Sequence, residues 1–149
     1  MILGAIALLA ACGSSGQPPA GCGTVDRGPV PAWARAGFSD AEPKVPHVVG
    51  AGGQITAILF GGRLSSPPAK DRSNKILWVS REPVQGVTDL RIRAAAGKEV
   101  VTRTVAGGPG PSTIDLPHPG CWKLSLRWAG RQDTLQLAYG APDPGSSVR

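Results

Sequence analysis

The chain has 149 residues, a net charge of +6 and 41% apolar residues. That composition suits one domain with a core of its own and excludes wholesale disorder. Its 21 Gly and 15 Pro follow no repeat period, which excludes collagen and points to many turns between short strands. Between Arg63 and Arg103 nine basic residues stand against four acids, so most of the positive charge lies mid-chain. Such a stretch suits an acidic partner or a solvated basic surface.

The first element is the apolar run of residues 2–11, Ile-Leu-Gly-Ala-Ile-Ala-Leu-Leu-Ala-Ala. It fits a signal-peptide core and falls short of the ~20 residues needed to span a bilayer. The run ends in Leu9-Ala10-Ala11-Cys12, which resembles the lipobox of bacterial lipoprotein precursors. The resemblance implies cleavage before Cys12 and a diacylglyceryl thioether on its sulfur. Two acyl chains anchor a protein stably where one is marginal. Met1 is followed directly by Ile2, without the opening Lys or Arg of a signal peptide, so either the start lies upstream or export is weak. The competing reading is a cytosolic protein in which Cys12 is an ordinary buried thiol.

Residues 13–21 lack apolar periodicity and read as a flexible linker spanning roughly 15–18 Å. The expected organisation is a signal peptide (1–11), a lipidated Cys12 with its linker (12–21), a β-sandwich domain (22–140) and a disordered tail (141–149). The expected location is the extracytoplasmic face of the cell membrane. Of three cysteines, lipid on Cys12 leaves Cys22 and Cys121 as an even pair in an oxidising compartment. They form either a disulfide or two free thiols.

The rest reads as strands. Ala32 to Phe38 alone approaches a helical period and predicts one or two turns. Short strands are expected near His47 to Val49 and at Ile114 to Leu116. Ile55 to Phe60 and Lys75 to Val79 are apolar on both faces, as in central strands. Leu90 and Ile92 alternate with Arg91 and Arg93, and Val100 to Val105 is β-branched except at Arg103. Trp122, Leu124, Leu126 and Trp128 alternate with Lys123, Ser125 and Arg127, the pattern of a strand with one buried face. A turn at Gly130-Arg131-Gln132 leads to a partner strand carrying Leu135, Leu137 and Tyr139. Seven or eight strands at this spacing predict an all-β, single antiparallel immunoglobulin-like β-sandwich, with Trp78 in its core. Cys121 points opposite to Trp122, so a bridge to Cys22 would staple the N-terminal segment onto the outside or edge of the last hairpin.

The segments Pro31 to Phe38, Asn74 to Val79, Gly107 to Ser112 and Pro119 to Leu124 resemble a group of small actinobacterial lipoproteins. The resemblance covers nearly the whole mature domain. It implies lipid anchoring and a β-sandwich, and it carries no activity and no catalytic residues.

Chemistry is sparse. Ser112, Asp115 and His118 supply the residue types of a hydrolytic triad, but three short-loop neighbours do not readily reach triad geometry. His118 and Cys121 are too few for zinc, so neither metal nor cofactor is expected. The glycines at 107, 108 and 110 lack the Lys and Ser/Thr of a phosphate loop and suit a turn. Trp33 lies outside the strands and is the best candidate for an exposed ring, although packing with Phe38 competes. The longest loop, Gly61 to Asn74, carries Arg63, Lys70 and Arg72, and with Trp33 these form the candidate ligand surface. The expected function is a lipid-anchored extracytoplasmic binding or structural module of the envelope, without catalysis. Its partners are the membrane, through Cys12, and an envelope glycan, anionic polymer or envelope protein, with no nucleic acid. An envelope hydrolase with an unrecognised site and an inhibitor of exported enzymes are the alternatives.

Overall fold

Alternation of large apolar and polar side chains along the C-terminal half dictates where that half folds. Trp122, Leu124, Leu126 and Trp128 are all buried, while Lys123 and Arg127 between them are exposed. The computed structural model describes residues 21–142. The leader, Cys12 and the tail beyond Pro142 therefore lie outside the described residues.

Nine strands are found among those residues: β1 (His47–Val49), β2 (Ile55–Leu59), β3 (Leu64–Ser65), β4 (Lys75–Ser80), β5 (Leu90–Ala96), β6 (Glu99–Val105), β7 (Pro111–Thr113), β8 (Gly120–Trp128) and β9 (Arg131–Gly140). One sheet has the order β1-β2-β4-β7 and the other β3-β9-β8-β5-β6. From β4 to β5, β6 to β7 and β7 to β8 the chain crosses between sheets, the Greek-key order of an immunoglobulin-like sandwich. The inner faces meet in one core that includes Ile76, Trp78, Leu90, Ile92, Leu124, Leu126, Leu137 and Tyr139. Each such side chain contributes roughly 1.5–3 kcal/mol through the apolar surface it removes from water.

The four-stranded sheet is covered on its other face too. Val30, Ala34 and Ile58 form a second buried cluster, with Trp33, Phe38, Val45, Leu77 and Val79 packed against it. This explains why β2 is buried at all five positions. The expected helical turns shrink to a single 3-10 turn, Ala32–Ala34, because Pro31 precedes it and Gly37 follows with φ of 90°.

Four expectations are corrected. The sandwich is not wholly antiparallel, since β3 pairs parallel with β9. β3 also lies inside the stretch expected to be the longest loop. It is held by Asn74, whose side chain accepts from Ser65 N–H and donates to the Ser65 carbonyl. The Ser66 hydroxyl donates to the Leu116 carbonyl beside it. The strand expected at Ile114 to Leu116 instead pairs at Pro111–Thr113 with β4, leaving Ile114 and Leu116 to fill the core. The last turn is tighter than expected: Ala129 and Gly130 alone connect β8 to β9, both with positive φ (45° and 72°). That is the requirement of a two-residue hairpin turn matched to sheet twist.

Candidate functional site

The outer face of the five-stranded sheet is set by strand parity. With Leu90, Ile92, Leu124 and Leu126 inward, the outward positions on β5 are Arg91, Arg93 and Ala95, and on β8 Cys121, Lys123, Ser125 and Arg127. The register places Arg91 directly opposite Arg127, Arg93 opposite Ser125 and Ala95 opposite Lys123. The flanking strands add Thr102 and Thr104 on β6 and Gln132, Thr134 and Gln136 on β9. No acid occupies an outward position on these four strands. Arg91, Arg93, Lys123 and Arg127 are all exposed, and none of them forms an ion pair among the described residues. Like charges directly opposite on neighbouring strands repel, so this arrangement lowers stability.

At one end of the face, Arg91, Arg127 and Arg131 line a recess of about 480 Å³ with Thr88, Asp89, Trp128 and Gln132. The Ala129-Gly130 turn forms one wall. The Asp89 carboxylate in this lining accepts a hydrogen bond from the Gly107 N–H.

At the other end the N-terminal segment crosses the sheet. Cys22 and Cys121 are joined by a disulfide with a Cα–Cα distance of 5.3 Å. Cys121 is an outward position of β8, so the bridge lies outside the core, on the last hairpin. Gly23 runs against the Gln136 side chain, and Asp26 then pairs with His47 at the edge of the other sheet. A second groove of about 380 Å³ opens between this segment, Val48, Val49 and the outward Lys123, Thr134 and Gln136.

The candidate ligand residues are divided. Trp33 is half-buried in the outer apolar cluster, over the face of the four-stranded sheet. Arg63 and Lys70 are exposed on the β2–β4 connection. Arg72 is half-buried there, its stem against Gly61 and its Nε buried without a hydrogen-bond partner. Sequence reasoning missed the recess. Arg91 and Arg127 are 36 positions apart in the chain, and only the β5–β8 pairing joins them.

The three triad residue types go to different partners. The Ser112 hydroxyl accepts from Trp78 Nε1–H at 3.0 Å, and the Asp115 carboxylate accepts from the Asn74 amide at 2.8 Å. His118 pairs with Glu99 and stacks on Trp122 at 4.8 Å between ring centroids. Its pKa is raised above the ordinary 6.5, chiefly by the hydrogen bond from the ring to the Pro119 carbonyl. Desolvation opposes that rise and Glu99 adds to it. Burial pushes the Tyr139 hydroxyl well above its ordinary range, and the nearby Asp115 charge adds to the effect. That hydroxyl donates to the Ile114 carbonyl and so fixes the end of β9. Among the described residues no group of three or more His, Cys, Asp or Glu is placed to hold a metal ion. No protein-family model, curated protein or solved structure matches this chain.

Proposed function

We propose that this chain is a lipid-anchored binding module on the extracytoplasmic face of a bacterial cell membrane, acting by contact rather than by catalysis. The observation that carries the reading is the Cys22–Cys121 disulfide. Disulfides persist in oxidising compartments and are rare in the cytosol. With two of three cysteines consumed, Cys12 stands alone at the end of an apolar run with small residues before it. The outer sheet face supports a binding role, because it gathers cations without ion-pair partners among hydroxyls and amides, and the directly opposed Arg91 and Arg127 repel each other.

Fractionation and mass spectrometry test the placement. The native protein should sediment with membranes and carry a diacylglyceryl mass on Cys12. Cys12→Ala should appear in the soluble fraction. An unmodified Cys12, or a variant that stays on the membrane, would refute the anchor.

A further inference from the structure

We propose that the outer face of β5, β8 and β9 binds an extended anionic envelope polymer linked by phosphodiesters, with Arg91 and Arg127 receiving one phosphate in the recess at its end. The extracytoplasmic reading is needed only to say where the polymer is met. The binding chemistry follows from the surface itself.

Arg91 and Arg127 line one recess and are directly opposite on paired strands, both on the outward side. Their side-chain origins are therefore about 4.5–5.5 Å apart. A guanidinium is a planar fork that meets two oxygens of a phosphate at once, and it stays charged at every physiological pH. An anion between Arg91 and Arg127 would cancel their repulsion. Asp89 lines the same recess and its charge opposes an anion there, so the two guanidinium groups must outweigh one carboxylate. From the recess the cations continue along the sheet, with Arg93 two residues beyond Arg91, about 6.8 Å along the strand. Lys123 lies diagonally across on β8. A single phosphate would leave these two unused, whereas a polymer with repeated charges reaches them.

The neutral positions choose the kind of polyanion. Thr102, Thr104, Ser125, Thr134, Gln132 and Gln136 present hydroxyls and amides, which suit polyol or sugar units between phosphates. A bilayer surface would favour apolar side chains on the same face. Val100 is the one large apolar chain among these outward positions, and the fully exposed Val87 lies in the β4–β5 connection outside them.

The test titrates the full chain carrying Cys12→Ala, without detergent, with purified poly(glycerol phosphate), followed by isothermal calorimetry, with neutral dextran and phosphatidylglycerol vesicles alongside. Binding should fall as salt rises, because the Debye length shrinks from about 30 Å at 0.01 M to about 8 Å at 0.15 M. The Arg91→Gln/Arg127→Gln variant should bind at least tenfold more weakly at low salt, with an unfolding temperature equal to or above that of the native chain. Lysines at both positions keep the charge and lose the fork, so that variant should fall between the two. An Arg63→Gln/Lys70→Gln control on the β2–β4 connection should bind like the native chain. Equal loss in that control would reduce the effect to net charge and overturn the site. Unchanged binding by the arginine double variant would do the same. Binding to vesicles but not to polymer would replace the occupant with a lipid surface and overturn the polymer. None of these outcomes bears on Cys12, so the placement reading stands or falls separately.

Discussion

Asp133 is a carboxylate only 7% exposed, on the inward side of β9, where a buried charge without partners would be costly. It is satisfied by backbone. Its oxygens accept from Gly52 N–H at 2.7 Å, Gln54 N–H at 2.8 Å and Thr134 N–H at 2.8 Å. The β1–β2 turn is thereby lashed to β9, and Ala51 N–H donates to the Thr134 carbonyl beside it. Gly50 makes this approach possible, since a Cβ there would collide with the Asp133 carboxylate. Removing a buried acceptor leaves its donors unpaired, so Asp133→Ala should cost about 1–3 kcal/mol in denaturant unfolding. Gly50→Ala should be damaging in the native background and much milder beside Asp133→Ala. The double-mutant cycle should give a coupling of about 0.5–3 kcal/mol. Strict additivity would mean that the turn does not rest on this carboxylate. The signal for Asp133 was present in the sequence: it continues the parity of Leu135, Leu137 and Tyr139 back by one step. A lone acid at an inward position reads as the end of a strand, and only the fold shows its three donors.

At the scale of elements, β8 separates the two faces of the sheet. Leu124 and Leu126 are completely buried, so replacing either with Ala should cost about 2–5 kcal/mol. Lys123→Ala should stay within about 0.5 kcal/mol. Arg127→Ala should be neutral or stabilising by about 0.2–1 kcal/mol, because it removes a like-charge pair with Arg91. Thermal unfolding of the four variants checks this, and a loss at Arg127 as large as at the leucines would put the register in error. The register of β8 and β9 is legible from the sequence because alternation is local and has a period of two. β3 is not legible. Two residues in a Ser- and Pro-rich stretch carry no period, and they become a strand through Asn74 at the end of that stretch and through Leu116 and β9, which are distant in sequence. β7 misleads for a related reason: Ile114 and Leu116 alternate because both fill the core, yet the paired residues precede them. The candidate site suffers most. Each of Arg91, Arg93, Lys123 and Arg127 is readable as an outward polar position, but that they share one face depends on pairing between non-consecutive strands. Charge density along the chain points instead to Arg63, Lys70 and Arg72 on the β2–β4 connection.

On the scale of the whole molecule, the N-terminal segment acts as a belt. It starts on the outer face of the five-stranded sheet at the Cys22–Cys121 bridge and passes the edge at the Asp26–His47 pairing. It then covers the outer face of the four-stranded sheet with Val30, Trp33, Ala34 and Phe38. Val30 N–H donates to the Pro43 carbonyl, and the Arg35 guanidinium donates to the carbonyls of Val30 and Ala41, so the belt is folded on itself as well. The cysteines are 99 positions apart, and a crosslink closing about 100 residues restricts the unfolded chain by about 4.7 kcal/mol in the chain-entropy model. The Cys22→Ser/Cys121→Ser variant should therefore lose about 2–5 kcal/mol in denaturant unfolding at equilibrium. The loss should be uneven. Without the bridge, residues 22–29 are held by the single Asp26–His47 pairing and a few contacts, whereas β5, β8 and β9 keep their full ladders. Hydrogen exchange should rise first in the N-terminal segment and last in β8, since local opening follows local contact density. Uniform acceleration across both sheets would show that the bridge holds the sandwich as a whole. An unchanged unfolding midpoint would show that the belt is secured by its apolar cluster alone.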